Sequence, residues 1–111
     1  MTQGGFGGKN LNLMKKEIFD DYAKAIAKQF NLTLEELFTK KRSSHLVDAR
    51  QMLYWLCMER PMRVSYITKF LKENGYDVGH STIISGYESA KKTIDADPDW
   101  AKMIKNIQDN D

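Results

Sequence analysis

The sequence is poor in the residues that build stapled, metal-bound or membrane-spanning proteins. Its one cysteine, Cys57, excludes an intrachain disulfide framework and fits a reducing compartment, so a cytoplasmic location is expected. Two histidines, His45 and His80, lie far from that cysteine and share no ligand spacing with it, so neither a metal nor another cofactor is expected. No apolar run approaches the roughly 20 residues that a membrane-spanning helix needs. The first ten residues, MTQGGFGGKN, lack the apolar core of a signal peptide. Glycine is scarce outside that segment, and proline is limited to Pro61 and Pro98. No apolar–polar alternation bounded by turns occurs, which argues against a sheet.

What remains is a mixed, soluble composition. The chain has 111 residues, 41% of them hydrophobic and 29% charged, with a net charge of +2. That length suits one domain and leaves no room for a nucleotide-hydrolysing domain beside it. Charge is uneven along the chain. Residues 40–80 hold eight basic side chains against four acidic, whereas residues 81–111 hold four against six. A basic centre is compatible with an anionic partner and also with an ordinary solvated surface.

Residues 1–11 read as a disordered Gly-rich tail, and residues 12–111 as one helical domain. The run Gly4-Gly5-Phe6-Gly7-Gly8-Lys9-Asn10 is not a phosphate-binding loop, because Gln3 and Asn10 stand where glycine and a magnesium-binding hydroxyl are required. Met14, Ile18, Tyr22, Ile26 and Phe30 recur every four residues and predict a helix over 12–30, stopped at Asn31. Thr33-Leu34-Glu35-Glu36 has the form of a capping box and predicts a short helix through Phe38. Residues 39–45 are polar and aperiodic and predict a loop. The most apolar stretch, 46–59, predicts a central buried helix ended by Pro61. Val64, Ile67, Phe70 and Leu71 mark another helix, followed by a break at Asn74-Gly75. A helix from about Ser81 to Thr93, capped near His80 or Ser81, and a last one opened by Asp97-Pro98 complete the pattern. The expected fold is all-α: a single six-helix domain.

The helix over 64–73, the break at 74–79 and the helix opening His80-Ser81-Thr82 resemble a helix-turn-helix. In that motif the first turn of the second helix enters the major groove, where hydroxyls and imidazole can bond base edges or phosphates. The same residues are also an ordinary helix cap, and pattern alone leaves both readings open.

From Ile18 onward, however, the chain resembles the C-terminal DNA-binding domain of the bacterial replication initiator DnaA, a helix-turn-helix of the Trp-repressor kind. The run Phe30-Asn31-Leu32-Thr33-Leu34-Glu35-Glu36-Leu37-Phe38-Thr39-Lys40-Lys41-Arg42-Ser43 matches a segment that ends in that family with a Leu-Ser-Lys-Lys-Arg-type run. Arg50-Gln51 matches an Arg-Gln pair at the start of the central helix. Gly79-His80-Ser81-Thr82-Ile83-Ile84 matches the family's Asp-His-Thr-Thr signature and its two aliphatics. The resemblance covers about residues 17–108.

It implies that Arg42, in the block Lys40-Lys41-Arg42-Ser43, enters the minor groove. It implies base readout by His80 and Ser81 with Thr82 beside them. Phosphate contacts follow for Arg50, Gln51 and Ser85, with Arg63, Ser65 and Tyr66 as neighbours. Gly79 stands in place of the signature Asp and cannot accept from a cytosine amine, and Ser81 lacks the threonine methyl that would meet thymine. DNA binding is therefore expected with a preference differing from the family's own box. The expected partner is double-stranded DNA, with replication proteins as further candidates, and neither a membrane nor a small-molecule substrate. The role expected is that of a domain without the initiator's ATPase, acting in replication initiation or its regulation, or in replication of a phage or mobile element. A helix-turn-helix transcriptional repressor and a helical protein-interaction adaptor are the alternatives. No catalytic constellation is present: acidic pairs such as Asp20-Asp21 diverge on a helix, and Cys57 reads as a core residue.

Overall fold

Asn31 sits in the left-handed region at φ 58°, a conformation asparagine tolerates, and it stops the first helix, α1 (Gly7–Gln29). Thr33 immediately starts the next. Its Oγ1 accepts from the Glu36 N–H at 3.1 Å while the Glu36 carboxylate accepts from the Thr33 N–H at 2.9 Å, closing the expected capping box on α2 (Leu34–Leu37). The computed structural model describes residues 7–109, with side-chain surroundings described from residue 14.

Among the described residues the secondary structure is six helices and no strand, as expected. Helix α3 (Ser44–Glu59) is the axis of the fold. Leu46, Ala49, Met52, Leu53, Tyr54, Leu56 and Cys57 are buried along it, so nearly every face is covered. Its most extensive packing is against α5 (His80–Ala96), and next against α1. From α1, Phe19 and Ile26 enter the same core, which α4 (Val64–Glu73) completes with Ile67, Phe70 and Leu71. Helix α6 (Pro98–Asp109) closes the far side with Ile104 and Ile107.

Boundaries differ from expectation where caps decide them. Helix α1 begins at Gly7, so residues 7–11 are helical where a tail was expected. Extending an existing helix adds one hydrogen bond per residue ordered, and no proline intervenes there. Residues 1–6 and 110–111 lie outside the described residues. Helix α3 starts at Ser44 because the Ser43 hydroxyl caps it, accepting from the Leu46 N–H at 3.4 Å. Helix α5 runs on to Ala96. It stops only where Asp97, before Pro98, is forced to extended angles of φ −130° and ψ 110°.

The break between α4 and α5 is built on Gly75 at φ 84°. Its N–H donates to Lys72 O and the Tyr76 N–H donates to Leu71 O, both at 2.9 Å, so the last carbonyls of α4 are satisfied as the chain turns. The cap of α5 is Gly79 rather than His80 or Ser81, at an extended φ of −87° and with no side-chain hydrogen bond to the helix. The helix N-terminus consequently keeps its first-turn N–H groups free of side-chain caps.

Candidate nucleic-acid interface

The basic block lies between two anchors. On one side the capping box fixes α2, and on the other Ser43 fixes the start of α3. Within it the Lys41 N–H donates to Thr39 Oγ1 at 2.9 Å. Lys40, Lys41 and Arg42 project from this short connection and are all exposed.

Arg50 holds the connection in place. It is the one buried charged side chain among the described residues, 3% exposed, and its guanidinium reaches three backbone carbonyls of the connection. Nε donates to Leu37 O at 2.8 Å, Nη1 to Lys41 O at 2.9 Å, and Nη2 to Thr39 O. The guanidinium also lies over the Tyr76 ring, 4.6 Å from its centroid, which ties the basic block to the segment leading into α5. The same side chain also lines the cleft beside the basic block, so Arg50 both clamps the connection and borders the candidate interface. Among the described residues no carboxylate lies within ion-pair distance of Arg50, so it contributes positive potential from below the surface.

Between the basic block and α5 lies an open cleft of about 690 Å³. Lys40, Arg42 and Gln51 line one wall; Ser81, Thr82 and Ser85 line the other. Their spacing of one and four residues puts the last three on one face of α5. The two parts of the sequence singled out above, more than thirty-five residues apart, therefore meet across a single depression. His80 is exposed at the first position of α5, outside the lining. Lys41 and Ser43 also lie outside it, Ser43 with its hydroxyl engaged in the cap. Arg63, Ser65 and Tyr66 gather at the N-terminus of α4. Arg63 and Ser65 are exposed, while Tyr66 is half-buried against Phe70, with the Lys15 ammonium 5.5 Å from its ring centroid.

The floor of the cleft was not foreseen. Tyr54, Tyr76, Val78 and Gly86 contribute to it, as does Asp77. Burial pushes the Tyr54 phenol well above its ordinary value, and its hydrogen bond with Tyr76 adds to the shift, so it stays a neutral partner. Gly86 permits the close approach of α3 and α5: a Cβ there would come within 2.7 Å of Tyr54 Cδ2 and 3.0 Å of Cε2. The two aliphatics of α5 separate in role. Ile83 is fully buried, whereas Ile84 is 43% exposed beside Ser85. A periodicity argument treats such adjacent apolar residues alike.

Among the described residues no three His, Cys, Asp or Glu side chains converge to hold a metal. Burial pushes the Cys57 thiol far up, which leaves it a protonated core residue. His45 lies at the start of α3, where its Nε2–H donates to the Phe30 carbonyl at 2.6 Å and joins the basic block's flank to the end of α1. Among the described residues no helix is long and apolar enough to cross a membrane.

Comparison with known proteins gives a consistent picture. A family model described as the bacterial DnaA protein helix-turn-helix matches residues 19–89, which takes in α2 through the first half of α5. A chromosomal replication initiator protein DnaA from Pelobacter propionicus is 33% identical over 85 residues. The match covers 77% of this chain and 18% of that relative, so the chain spans under a fifth of its length. No solved structure matches the chain.

Proposed function

The chain belongs to the bacterial DnaA helix-turn-helix family, and from that membership we propose that it binds double-stranded DNA with sequence preference, in replication initiation or its regulation. It works as a binding module, not an enzyme. The observation that carries this reading is the shared cleft, in which Lys40 and Arg42 face Ser81, Thr82 and Ser85.

In this reading α5 is the recognition helix. His80, Ser81 and Thr82 meet base edges in the major groove, where the hydroxyls donate or accept and Ile84 can pack on a thymine methyl. The uncapped N–H groups of its first turn suit a phosphate oxygen. Arg42, carried by the connection that Arg50 clamps, reaches the adjacent minor groove, whose narrow A·T-rich form attracts a guanidinium. Lys40, Lys41, Ser43, Gln51 and Ser85 flank these contacts at phosphates, and Arg63, Ser65 and Tyr66 extend the footprint along α4. Phosphate contacts fix register and the groove contacts set preference. Replication proteins are further partners proposed for the surfaces left free.

The test is duplex affinity against salt, followed by selection from random duplexes. A log–log slope of roughly −0.9 for each phosphate neutralised is expected. Enriched duplexes should converge on a motif, and the protein should displace a DnaA initiator from origin fragments that contain it. A protein-interaction adaptor would show no duplex affinity even at low salt, and that result would overturn the proposal. Convergence on promoter sites without competition at an origin would move the function to transcriptional repression.

A further inference from the structure

A second hollow, of about 360 Å³, lies between the end of α1, the start of α3 and the start of α6. Phe30, Trp100 and Met103 give it an apolar wall, and Asp48 and Asp99 supply its carboxylates. The aromatic part is firmly built. The Phe30 and Trp100 ring centroids are 5.5 Å apart, and the His45 ring, tied to the Phe30 carbonyl, lies 5.2 Å from the Phe30 ring. Trp100 is only half-buried, so part of its indole faces the hollow. No lysine or arginine lines it. The ion pairs among the described residues are those of Lys16 with Asp20 and Glu73, so neither carboxylate is neutralised. Asp99 complements the first turn of α6, but Asp48 lies beyond the first turn of α3, is half-buried and has no such role. Gln29 borders both this hollow and a further one of about 330 Å³, which lies between α1 and α6 beside Asp21, Lys28 and Ile107.

We propose that this groove docks a basic segment of a partner protein. One lysine or arginine of the segment sits against Trp100 with Asp48 and Asp99 as its counter-charges, and apolar side chains of the same segment follow the groove toward Ile107. A cation gains attraction from the face of an indole, and the half-buried setting of Asp48 strengthens the attraction of its carboxylate. Tryptophan and methionine are the residue types that anchor protein interfaces, and the flexible Met103 side chain can adapt to what it meets. Nucleic acid is repelled by the same carboxylates. A small cation alone would leave the hollow beside Ile107 uncovered, so the chemistry selects a polypeptide. The groove shares no lining residue with the DNA cleft. On α3 the cleft takes Val47, Arg50, Gln51 and Tyr54, whereas the groove takes His45 and Asp48 from a different face of that helix. The partner therefore does not compete with a duplex, and the proposal stands independently of the DNA-binding reading.

The experiment is selection from a random displayed peptide library on the whole chain, with the affinities of the enriched peptides then measured by fluorescence polarisation. Enriched peptides should carry a lysine or arginine beside aromatic or aliphatic residues. Asp48→Asn combined with Asp99→Asn keeps side-chain size and should weaken them about tenfold at low salt, with a smaller effect at high salt. Trp100→Ala, first shown by circular dichroism to keep its helicity, should weaken them at least as much. Arg42→Ala, in the DNA cleft, should leave peptide binding unchanged. Failure to enrich any peptide, enrichment of peptides without a basic residue, or affinities indifferent to the paired carboxylate substitutions would each overturn the proposal. Concentration-dependent dimerisation that Trp100→Ala abolishes would also overturn it, by giving the groove to a second copy of this chain.

Discussion

Arg50 shows how a side chain's role depends on residues distant in sequence. It was expected at a phosphate because it opens the Arg-Gln pair of the central helix. Its three carbonyl acceptors, Leu37, Thr39 and Lys41, lie nine to thirteen residues earlier, and no linear pattern announces that they curl back over the helix. Lys40, Arg42, Ser81 and Ser85 were legible through the resemblance to the family, and all four line the cleft. Asp77 and Tyr76 were not, because the segment between α4 and α5 carried only the signal of a break. The clamp predicts a specific mutational pattern. Arg50→Ala leaves three partly buried carbonyls without their donor and frees the basic connection, and it should lower stability by about 3 kcal/mol. Arg50→Lys should recover little of this, since an ammonium cannot span three separated acceptors as a planar guanidinium does. Thermal unfolding of the two variants, with duplex affinity measured below their transitions, checks it. Wild-type stability in Arg50→Lys would show that the fork geometry is not required.

Helix boundaries were read well wherever a cap or a breaker is written into the side chains. Thr33 with Glu36, Asn31 and the Asp97-Pro98 pair all act as their chemistry suggests. Ser43 and Gly79 were the exceptions: the start of α3 lay within a polar run expected as a loop, and a cap without a side chain leaves no residue signature beside His80 and Ser81. The contact between α3 and α5 was also invisible in sequence, because Gly86 could be read only as a small residue within a helix. With Tyr54 against it, Gly86 fixes how closely α5 lies on α3. Gly86→Ala forces a methyl into a buried ring that cannot swing aside as an exposed chain end would. Overpacking of this kind costs about 1–3 kcal/mol, against up to about 1 kcal/mol gained from helix propensity. A net loss of about 1 kcal/mol is therefore expected. It should be accompanied by weaker duplex binding, as Ser81 and Ser85 are pushed away from Arg42. Combining it with Tyr54→Leu should restore part of both, and a double-mutant cycle on unfolding free energy measures that coupling. Strict additivity would mean that the two residues do not meet as described.

The fold assembles its cleft from a loop near the first third of the chain and a helix near the last, held against one buried helix between them. That same burial sets how the whole molecule should respond to alkali. The Cys57 thiol and the Tyr54 phenol, both on α3, have their ionisation pushed up by desolvation, from ordinary values of 9.0 and 10.0. Below pH 9 both groups are protonated whether the chain is folded or not, and they contribute no pH dependence. Above it the unfolded chain releases protons that the native state keeps, so the unfolded state binds fewer and stability falls as pH rises. The decline should begin near the thiol's ordinary 9.0 and steepen as the phenol's 10.0 is passed. Each buried group should contribute up to about 1.4 kcal/mol per pH unit once it is ionised in the unfolded chain. Urea titrations at half-unit intervals from pH 8 to 11 measure the slope. Cys57→Ala separates the two contributions: it lowers stability at neutral pH through the cavity it leaves, yet its alkaline decline should start about one pH unit later than in the parent chain. An unchanged onset in that variant would mean that the thiol is not held protonated in the native core, and that the packing of α3 against α1 and α5 admits water near Cys57.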